Sequence, residues 1–251
     1  MSLLQRLVEL ESPSDDHFGC LAVQDVLGGL LSSAGGRIER SVGSTGTPVL
    51  VARFGAQRSP VLLLGHVDTV WPRGTLQERP YTVEDGVASG PGVYDMKAGL
   101  VQIVSALSSL DSPDVTVLLN ADEELGSPGS QDAIMAEAAR SRCAFVLEPC
   151  GPGGALKTRR KGIGMYTLEV TGRAAHPGLD FAGGVNAVVE LAHQVTALAG
   201  LGDGETTVNV GRIDGGTGRN VETFFGERPG NWSITVDDVK NHEGEVDRVI
   251  L

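Results

Sequence analysis

The segment LLLGHVDTVWPRGT, residues 62–75, ends a run of apolar residues with a histidine and an aspartate two positions apart. Side chains at positions i and i+2 of an extended chain point to the same side. We therefore expect His66 and Asp68 to project together from the end of a strand. A hydrophobic core gains nothing from such a pair, whereas metal ions are often held by imidazole and carboxylate groups. The segment thus predicts a strand that ends at a metal site.

Strand-like and helix-like segments alternate on both sides of this stretch. Apolar runs bounded by glycine or proline predict strands, and apolar residues at helical spacing predict helices between them. The expected strands cover residues 47–54, 60–67, 114–124 and 143–149, and the expected helices cover residues 3–10, 20–34, 96–110 and 129–141. This pattern predicts an α/β fold with a mainly parallel sheet flanked by helices. In such sheets, sites form beyond the carboxyl ends of the strands.

The composition changes at GPGGALKTRRKGIG, residues 151–164, which is rich in glycine and basic residues. We place a domain boundary there, with residues 1–158 before it and residues 159–251 after it. Beyond the boundary, the patterns predict strands in MYTLEVTGRAAH, ETTVNVGRIDGG and WSITVDDV and a helix in GVNAVVELAHQVTALA. These segments predict a small α+β domain.

The net charge of −12 and the sequence pI near 4.8 argue against nucleic acid or an anionic membrane as a partner. Three cysteines without a CxxC pair are typical of a reducing compartment. The N-terminal residues lack the pattern of a secretion signal, and no apolar run approaches the roughly 20 residues of a membrane span. We therefore expect a cytoplasmic protein that binds neither nucleic acid nor a membrane.

Acidic side chains follow the other predicted strands. Glu123 and Glu124 end one strand, Glu148 ends another, and Asp95 closes a glycine-rich loop and begins a helix. Each feature alone has a simpler explanation, since an aspartate at a helix start is usually an N-cap and a glutamate pair after a strand is usually solvated. At one edge of a sheet, however, so many carboxylates would repel each other without a cation between them. The set therefore favours a metal site.

The residue types also indicate roles. Imidazole with several carboxylates suits zinc or a related divalent ion, such as cobalt or manganese. Asp68 is placed to accept a proton from the second ring nitrogen of His66. Adjacent residues of an extended chain face opposite ways, so one of Glu123 and Glu124 would bind metal while the other takes a proton from water. Two ions bridged by a carboxylate indicate hydrolysis.

The glycine-rich loop SGPGVYD, residues 89–95, raises nucleotide binding as an alternative. Asp95 stands where a dinucleotide fingerprint has its third glycine, and no GK[ST] follows. A carboxylate at that position would repel phosphate. The loop therefore disfavours a phosphate site.

Six motifs resemble, in order and spacing, those of the M20 metallopeptidase family, which includes glutamate carboxypeptidase, aminoacylases and succinyl-diaminopimelate desuccinylase. They are GHVDTVWP, GPGVYDMKAG, ADEELGSPGS, FVLEP, GRAAHPG and GGTGRNV, and the resemblance covers roughly residues 1–221. HVDTVWPRGT and ALKTRRKGIG are most similar to the glutamate-carboxypeptidase-like branch. The resemblance implies a zinc-dependent hydrolase of amide bonds, which releases a C-terminal glutamate or similar amino acid from a peptide or N-acyl amino acid.

The resemblance implies a role for each residue of the predicted site. One zinc ion would be held by His66, Asp95 and Glu148. Asp95 would bridge to a second zinc ion, which Glu124 would also hold. Glu123 would be the general base, and Asp68 would orient the imidazole.

In the second domain, the resemblance implies a lid that also forms a homodimer. His176, in GRAAHPG, would reach the neighbouring subunit's site and stabilise the developing oxyanion. Arg219 and Asn220, in GGTGRN, match positions that help to bind the substrate carboxylate. Without the resemblance, His176 would be an ordinary loop histidine and Arg219 a solvated charge.

The resemblance ends near Asn220. Family members usually return from the lid to complete the catalytic sheet and to supply a final histidine to the second zinc ion. This sequence ends at Leu251, and the context of His242 does not match that ligand. We therefore expect an incomplete catalytic domain with a weak second metal site. The alternative to an active enzyme is a truncated, non-catalytic remnant or a split-enzyme half that acts as a metal-binding or dimerising module.

Overall fold

The computed structural model describes residues 1–58, 60–111, 113–159 and 161–215, together with the backbone of residues 234–240. The chain divides into two compact units between Gly154 and Ala155. None of the helices in these residues is both long and apolar enough to cross a bilayer.

The first unit alternates strands and helices, as the hydrophobic pattern predicts. Its helices are α1 (Leu3–Glu9), α2 (His17–Ser33), α3 (Thr75–Glu78), α4 (Ala98–Ser109) and α5 (Gln131–Arg140). Its strands are β1 (Arg37–Val42), β2 (Pro48–Phe54), β3 (Val61–His66), β4 (Thr82–Glu84), β5 (Val87–Ser89), β6 (Val115–Asn120) and β7 (Cys143–Val146). A kinked turn, Val93–Lys97, precedes α4, and a 3-10 turn, Glu123–Leu125, follows β6. The sequence patterns missed β1, α3 and the β4–β5 hairpin.

The central sheet has the strand order β1-β2-β6-β3-β7. β6, β3 and β7 run parallel, whereas β1 and β2 add antiparallel strands on one side. The predicted α/β sheet flanked by helices is therefore confirmed, and its parallel part contains the strands that precede the predicted site residues. The register pairs His66 with Asn120 and Leu64 with Val146, so the carboxyl ends of these three strands lie at one edge.

Helices cover both faces of this sheet. Alternate residues of a strand face opposite sides. In β2, Leu50 and Ala52 pack in the cluster formed with α1, α2 and α4, while Val49 and Val51 pack in the cluster that α5 covers. β6 is buried along its whole length between two strands and two helical layers. Burial of this apolar area is the main force that holds the strand ends in place.

An ion pair joins α5 to β2. The Arg53 guanidinium donates to both carboxylate oxygens of Glu137 at 2.8 Å, and the two side chains are only 10% and 8% exposed. Arg53 also contacts Glu39, whose side chain is 45% exposed. The hydrogen bonds from Arg53 hold the pKa of Glu137 below its ordinary value of 4.5.

We predict that Glu137→Gln lowers the free energy of unfolding by about 2 kcal/mol at neutral pH, because it removes charge-assisted hydrogen bonds from a buried arginine. Since the pKa of Glu137 is lower in the folded protein, the pair stabilises fully above pH 4.5. This contribution is lost as the pH falls through the pKa of the folded state. Urea unfolding of both proteins at several pH values measures the difference.

Glu39→Gln is the matched control, since Glu39 contacts the same guanidinium from the solvent side. It should lower the free energy of unfolding by less than about 1 kcal/mol, as exposed ion pairs do. Equal losses in the two variants would contradict the prediction.

The second unit contains an antiparallel sheet with a helix packed on it. Its elements are β8 (Tyr166–Leu168), α6 (Ala187–Ala199), β9 (Thr207–Ile213) and β10 (Ile234–Lys240), and the strand order is β8-β10-β9. Leu191 and Leu198 of α6 pack with Tyr166 and Val208 of the sheet. The helix and strands match the segments that the patterns predicted, although β8 is shorter than expected and β10 ends one residue later. The role of a lid stays a prediction.

Candidate metal centre

His66 is the last residue of β3 and is 1% exposed. Its Nε2 atom lies 3.1 Å from Asp95 Oδ1, 3.2 Å from Glu148 Oε1 and 4.0 Å from Glu123 Oε2. Glu148 lies just beyond β7 and Glu123 just beyond β6, so the two strands that flank β3 bring these carboxylates to the imidazole. The structure thus brings together a histidine and acidic residues that are distant in the sequence.

Among the described residues, two sets of three side chains could each hold a metal ion. The ligand atoms of each set lie within 4.8 Å of one another, and the sets are His66, Asp95 and Glu124, and His66, Glu123 and Glu148. Every predicted metal ligand belongs to one of these sets. The grouping differs from the expected one, because Asp95 and Glu148 fall in different sets, His66 belongs to both, and Glu123 lies among the candidate ligands. An imidazole with carboxylates is donor chemistry that fits zinc and related divalent ions.

Burial shifts the pKa values of the groups around His66. Burial raises the pKa of Glu124 to about 7, with the Asp95 carboxylate acting in the same direction. Burial also raises the pKa values of Glu123 and Asp95. For His66, burial opposes the charged form, but a hydrogen bond to Asp68 and the surrounding carboxylates outweigh it and raise the pKa to about 11. The cluster therefore needs positive charge to hold its carboxylates together, which a divalent cation would supply.

Asp68 connects the imidazole to the turn that carries Glu123 and Glu124. His66 Nδ1 lies 3.0 Å from the backbone carbonyl oxygen of Asp68 and 3.3 Å from its Oδ1 atom, and Oδ1 accepts the backbone N–H of Glu123 at 3.3 Å. Asp68 Oδ2 accepts the backbone N–H of Glu124 at 3.2 Å and the Ser14 hydroxyl at 2.7 Å. A histidine that donates through Nδ1 presents the lone pair of Nε2, which is the form that a metal ligand needs.

Asp95 lies in the turn before α4. Its backbone angles, φ −119° and ψ 102°, are not helical, and α4 begins at Ala98. The prediction that Asp95 begins a helix is therefore wrong, and so is the alternative that it is an N-cap, because Lys97 occupies that position. An extended residue here lets the carboxylate reach His66 instead of the helix N-terminus.

Close packing accounts for the glycine-rich loop and its turn. Gly92 has a φ of +69°, and a Cβ there would lie 2.6 Å from Thr69 Cγ2, so the position requires glycine. The buried Lys97 donates from Nζ to the carbonyl oxygens of Leu7 and Leu10, each at 2.9 Å. These carbonyls lie at the C-terminal end of α1, where a positive charge is favourable. The turn is thereby attached to α1.

Asp122, which no sequence pattern singled out, organises the loop after β6. Its buried carboxylate accepts the backbone N–H groups of Gly129 and Ser130 at 2.7 Å and 3.1 Å, and the hydroxyl of Ser130 at 2.6 Å. Glu123 and Glu124 follow directly in a single 3-10 turn, so the prediction that they end an extended strand is wrong, since β6 ends at Asn120. A sequence signal for this role was present: an aspartate ends an apolar strand, and small residues follow seven and eight positions later. A loop that folds back can bring residues at this spacing to the carboxylate.

Comparison with known proteins agrees with this geometry. Residues 62–227 match Peptidase family M20/M25/M40. The chain belongs to this family. The match begins within β3, the strand that ends at His66, so the M20 sequence pattern includes the histidine and all the carboxylates gathered around it.

M20 relatives of the chain are longer proteins. Carboxypeptidase G2 from Pseudomonas sp. (strain RS-16) is 33% identical over 210 residues, which cover 80% of this chain and 51% of the relative. Acetylornithine deacetylase from Pasteurella multocida (strain Pm70) is 33% identical over 250 residues, which cover 87% of this chain and 64% of the relative. The chain thus spans between about half and two thirds of the length of these relatives.

The fold is similar to that of the M20 family metallo-carboxypeptidase Sso-CP2 from Sulfolobus solfataricus. The TM-score is 0.68 at 16% identity, and the likeness covers 95% of this chain and 70% of the other. At this identity the comparison concerns the fold alone, and it agrees with the α/β architecture of the first unit.

Three predicted residues of the M20 pattern belong to the second part of the chain. His176 is exposed, and its Nδ1 accepts the backbone N–H of Gly178 at 3.1 Å. Arg219 and Asn220 lie outside the described residues, as does His242. Their roles stay predictions.

Proposed function

We propose that this chain forms the metal-binding part of an M20-type hydrolase that cleaves amide bonds. The observation that carries the proposal is the convergence of four carboxylates, from Asp95, Glu123, Glu124 and Glu148, on the imidazole of His66 at the end of β3. The names of the two relatives, a carboxypeptidase and a deacetylase, both denote hydrolysis of such bonds. We propose a carboxypeptidase-like reaction that releases a C-terminal glutamate or similar amino acid from a peptide or N-acyl amino acid.

The metal would be zinc, with cobalt or manganese as alternatives. We propose that His66, Asp95 and Glu148 hold one ion and that Asp95 and Glu124 hold a second, weaker one. When bound, such ions polarise an amide carbonyl and lower the pKa of water toward neutrality. The short contacts of His66 Nε2 with Asp95 and Glu148 support the first group.

Glu123 would act as the general base. Its carboxylate is 44% exposed and lies 4.0 Å from His66 Nε2, so it borders the cluster and also meets solvent. In this role it takes a proton from the attacking water and returns it to the leaving amine. Asp68 holds the imidazole ring through Nδ1, and its contacts with the backbone of residues 123 and 124 fix the distance between base and ligand.

We also propose, from the M20 resemblance, roles for residues beyond the metal centre. Residues 159–251 would form a lid and homodimer domain next to a catalytic domain in residues 1–158. His176 would stabilise the oxyanion in the neighbouring subunit's site, and Arg219 and Asn220 would bind the substrate carboxylate. A cytoplasmic location belongs to the same proposal.

A second candidate function is a non-catalytic metal-binding or dimerising module. One observation favours it: in the described residues a single histidine belongs to both ligand sets. With one imidazole shared between two sets, full occupancy by two ions would need a ligand from elsewhere.

We predict zinc-dependent hydrolysis of N-acyl-glutamates by the purified chain, with activity lost on chelation and restored by added zinc. The experiment compares N-acyl-glutamates, acetylated amino acids and short peptides as substrates, each with zinc and with chelator. Folded protein that binds zinc and yet hydrolyses none of them would support the module instead.

A further inference from the structure

The segment Ser12–Ser14 runs alongside the residues that follow β3. Pro13 and Thr69 form an isolated parallel bridge, and the backbone N–H of Thr69 donates to the Ser12 carbonyl at 2.9 Å. The Ser12 hydroxyl donates to the Val67 carbonyl at 2.7 Å. The segment therefore supports the chain on both sides of Asp68, although it comes from the beginning of the sequence.

Ser14 contacts the Asp68 carboxylate, which lies beside the imidazole of His66. The Ser14 hydroxyl donates to Asp68 Oδ2 at 2.7 Å. The distances from the Asp68 carboxylate oxygens to the backbone nitrogens of residues 123 and 124 and to His66 Nδ1 are longer, at 3.2–3.3 Å. An O–H···O⁻ bond of this length is charge-assisted and among the stronger hydrogen bonds in proteins. The Asp68 side chain is fully buried, so no solvent replaces the hydroxyl as a donor.

The orientation of the Asp68 carboxylate depends on these donors. The terminal torsion of an aspartate is broad, since it joins sp³ and sp² carbons, and neighbours must fix it. Oδ2 accepts from Ser14 and from the backbone of Glu124, while Oδ1 accepts from the backbone of Glu123 and faces His66. Without the hydroxyl, each oxygen keeps one longer backbone hydrogen bond, and the carboxylate is held less firmly beside the imidazole.

We infer that Ser14 is a positioning residue of the metal centre, which acts through Asp68 on the ring of His66 and on the turn of Glu123 and Glu124. The inference rests on the proposed function, because it assumes that His66 binds metal. Ser12 has a different role, because its hydroxyl donates to a backbone carbonyl and not to the Asp68 carboxylate. It therefore stabilises the segment alone.

The test compares Ser14→Ala, Ser14→Thr and Ser12→Ala in the full chain. Zinc affinity is measured by competition with a chromogenic chelator, and the stability of the metal-free proteins is measured by urea unfolding. Ser14→Ala should weaken zinc binding about tenfold, the lower end of the effect of outer-shell partners on metal affinity. Ser14→Thr, which keeps the hydroxyl, should restore most of the affinity. Ser12→Ala should lower stability and leave zinc affinity unchanged.

An unchanged zinc affinity in folded Ser14→Ala would overturn the inference while the proposed function stands. Equal losses of affinity in Ser14→Ala and Ser12→Ala would also overturn it, since the effect would then follow the stability of the segment. If the alanine variant does not fold, Ser14→Cys provides the same comparison with a similar volume and a much weaker donor. Absence of zinc binding in the wild-type chain would contradict both the inference and the proposed function.

Discussion

Replacing Glu123 with glutamine should lower kcat by about 10²–10⁴-fold, the usual contribution of a general base, and leave zinc bound. Glutamine keeps the size and one acceptor oxygen of glutamate but accepts no proton near neutral pH. The backbone N–H of residue 123 would still donate to Asp68, so the turn should keep its place. Steady-state kinetics and metal content of the same preparation measure the two effects.

Glu124→Gln is the matched control for this prediction. The two glutamates are adjacent, both donate a backbone N–H to Asp68, and both belong to candidate ligand sets. If Glu124 is the ligand, its variant should weaken the binding of metal, and its activity should recover at high zinc concentration. Loss of zinc from Glu123→Gln, with retention in Glu124→Gln, would exchange the two roles and contradict the assignment.

Replacing His66 with asparagine should weaken zinc binding by more than about 100-fold, since the loss of an outer-shell partner alone can reach that value. The imidazole belongs to both candidate ligand sets among the described residues, so its removal affects each of them. Isothermal titration calorimetry with zinc measures the loss of affinity, and circular dichroism verifies that the variant folds.

His193→Asn, on α6 of the second unit, is the control for a histidine outside the ligand sets. It should keep the zinc affinity of the wild type. Retained binding in His66→Asn would mean that the carboxylates hold the ion without the imidazole, and it would remove the basis of the proposed site.

The main features of the site are visible in the sequence because they depend on short spacings. A histidine and an aspartate two residues apart face the same way on a strand, and the carboxyl ends of parallel strands meet at one edge. These two rules are sufficient to predict that His66 lies near Glu123 and Glu148. Asp95 also lies near His66, as predicted, but it follows no strand, and the expectation that it begins a helix was wrong because its backbone is extended.

The supporting residues were missed because their partners are far away in the chain. Ser14 reaches Asp68 across 54 residues, and Lys97 reaches Leu7 across 90. No local pattern records such contacts. The β4–β5 hairpin was a different kind of omission: Asp85 and Gly86, both with positive φ, form a turn of the Asp-Gly type that is a strong hairpin signal.

The position of β6 in the sheet also affects how the chain folds during its synthesis. β6 lies between β2 and β3, although it is synthesised after both. A nascent chain that has not reached Val115 therefore carries two apolar strands without the strand that joins them, and Leu62 lacks Leu118 and α5, which cover it in the folded unit. Such unpaired edges invite aggregation. We expect the sheet to form fully only after β6 has been synthesised, and the candidate ligands to come together only once Glu148 has followed.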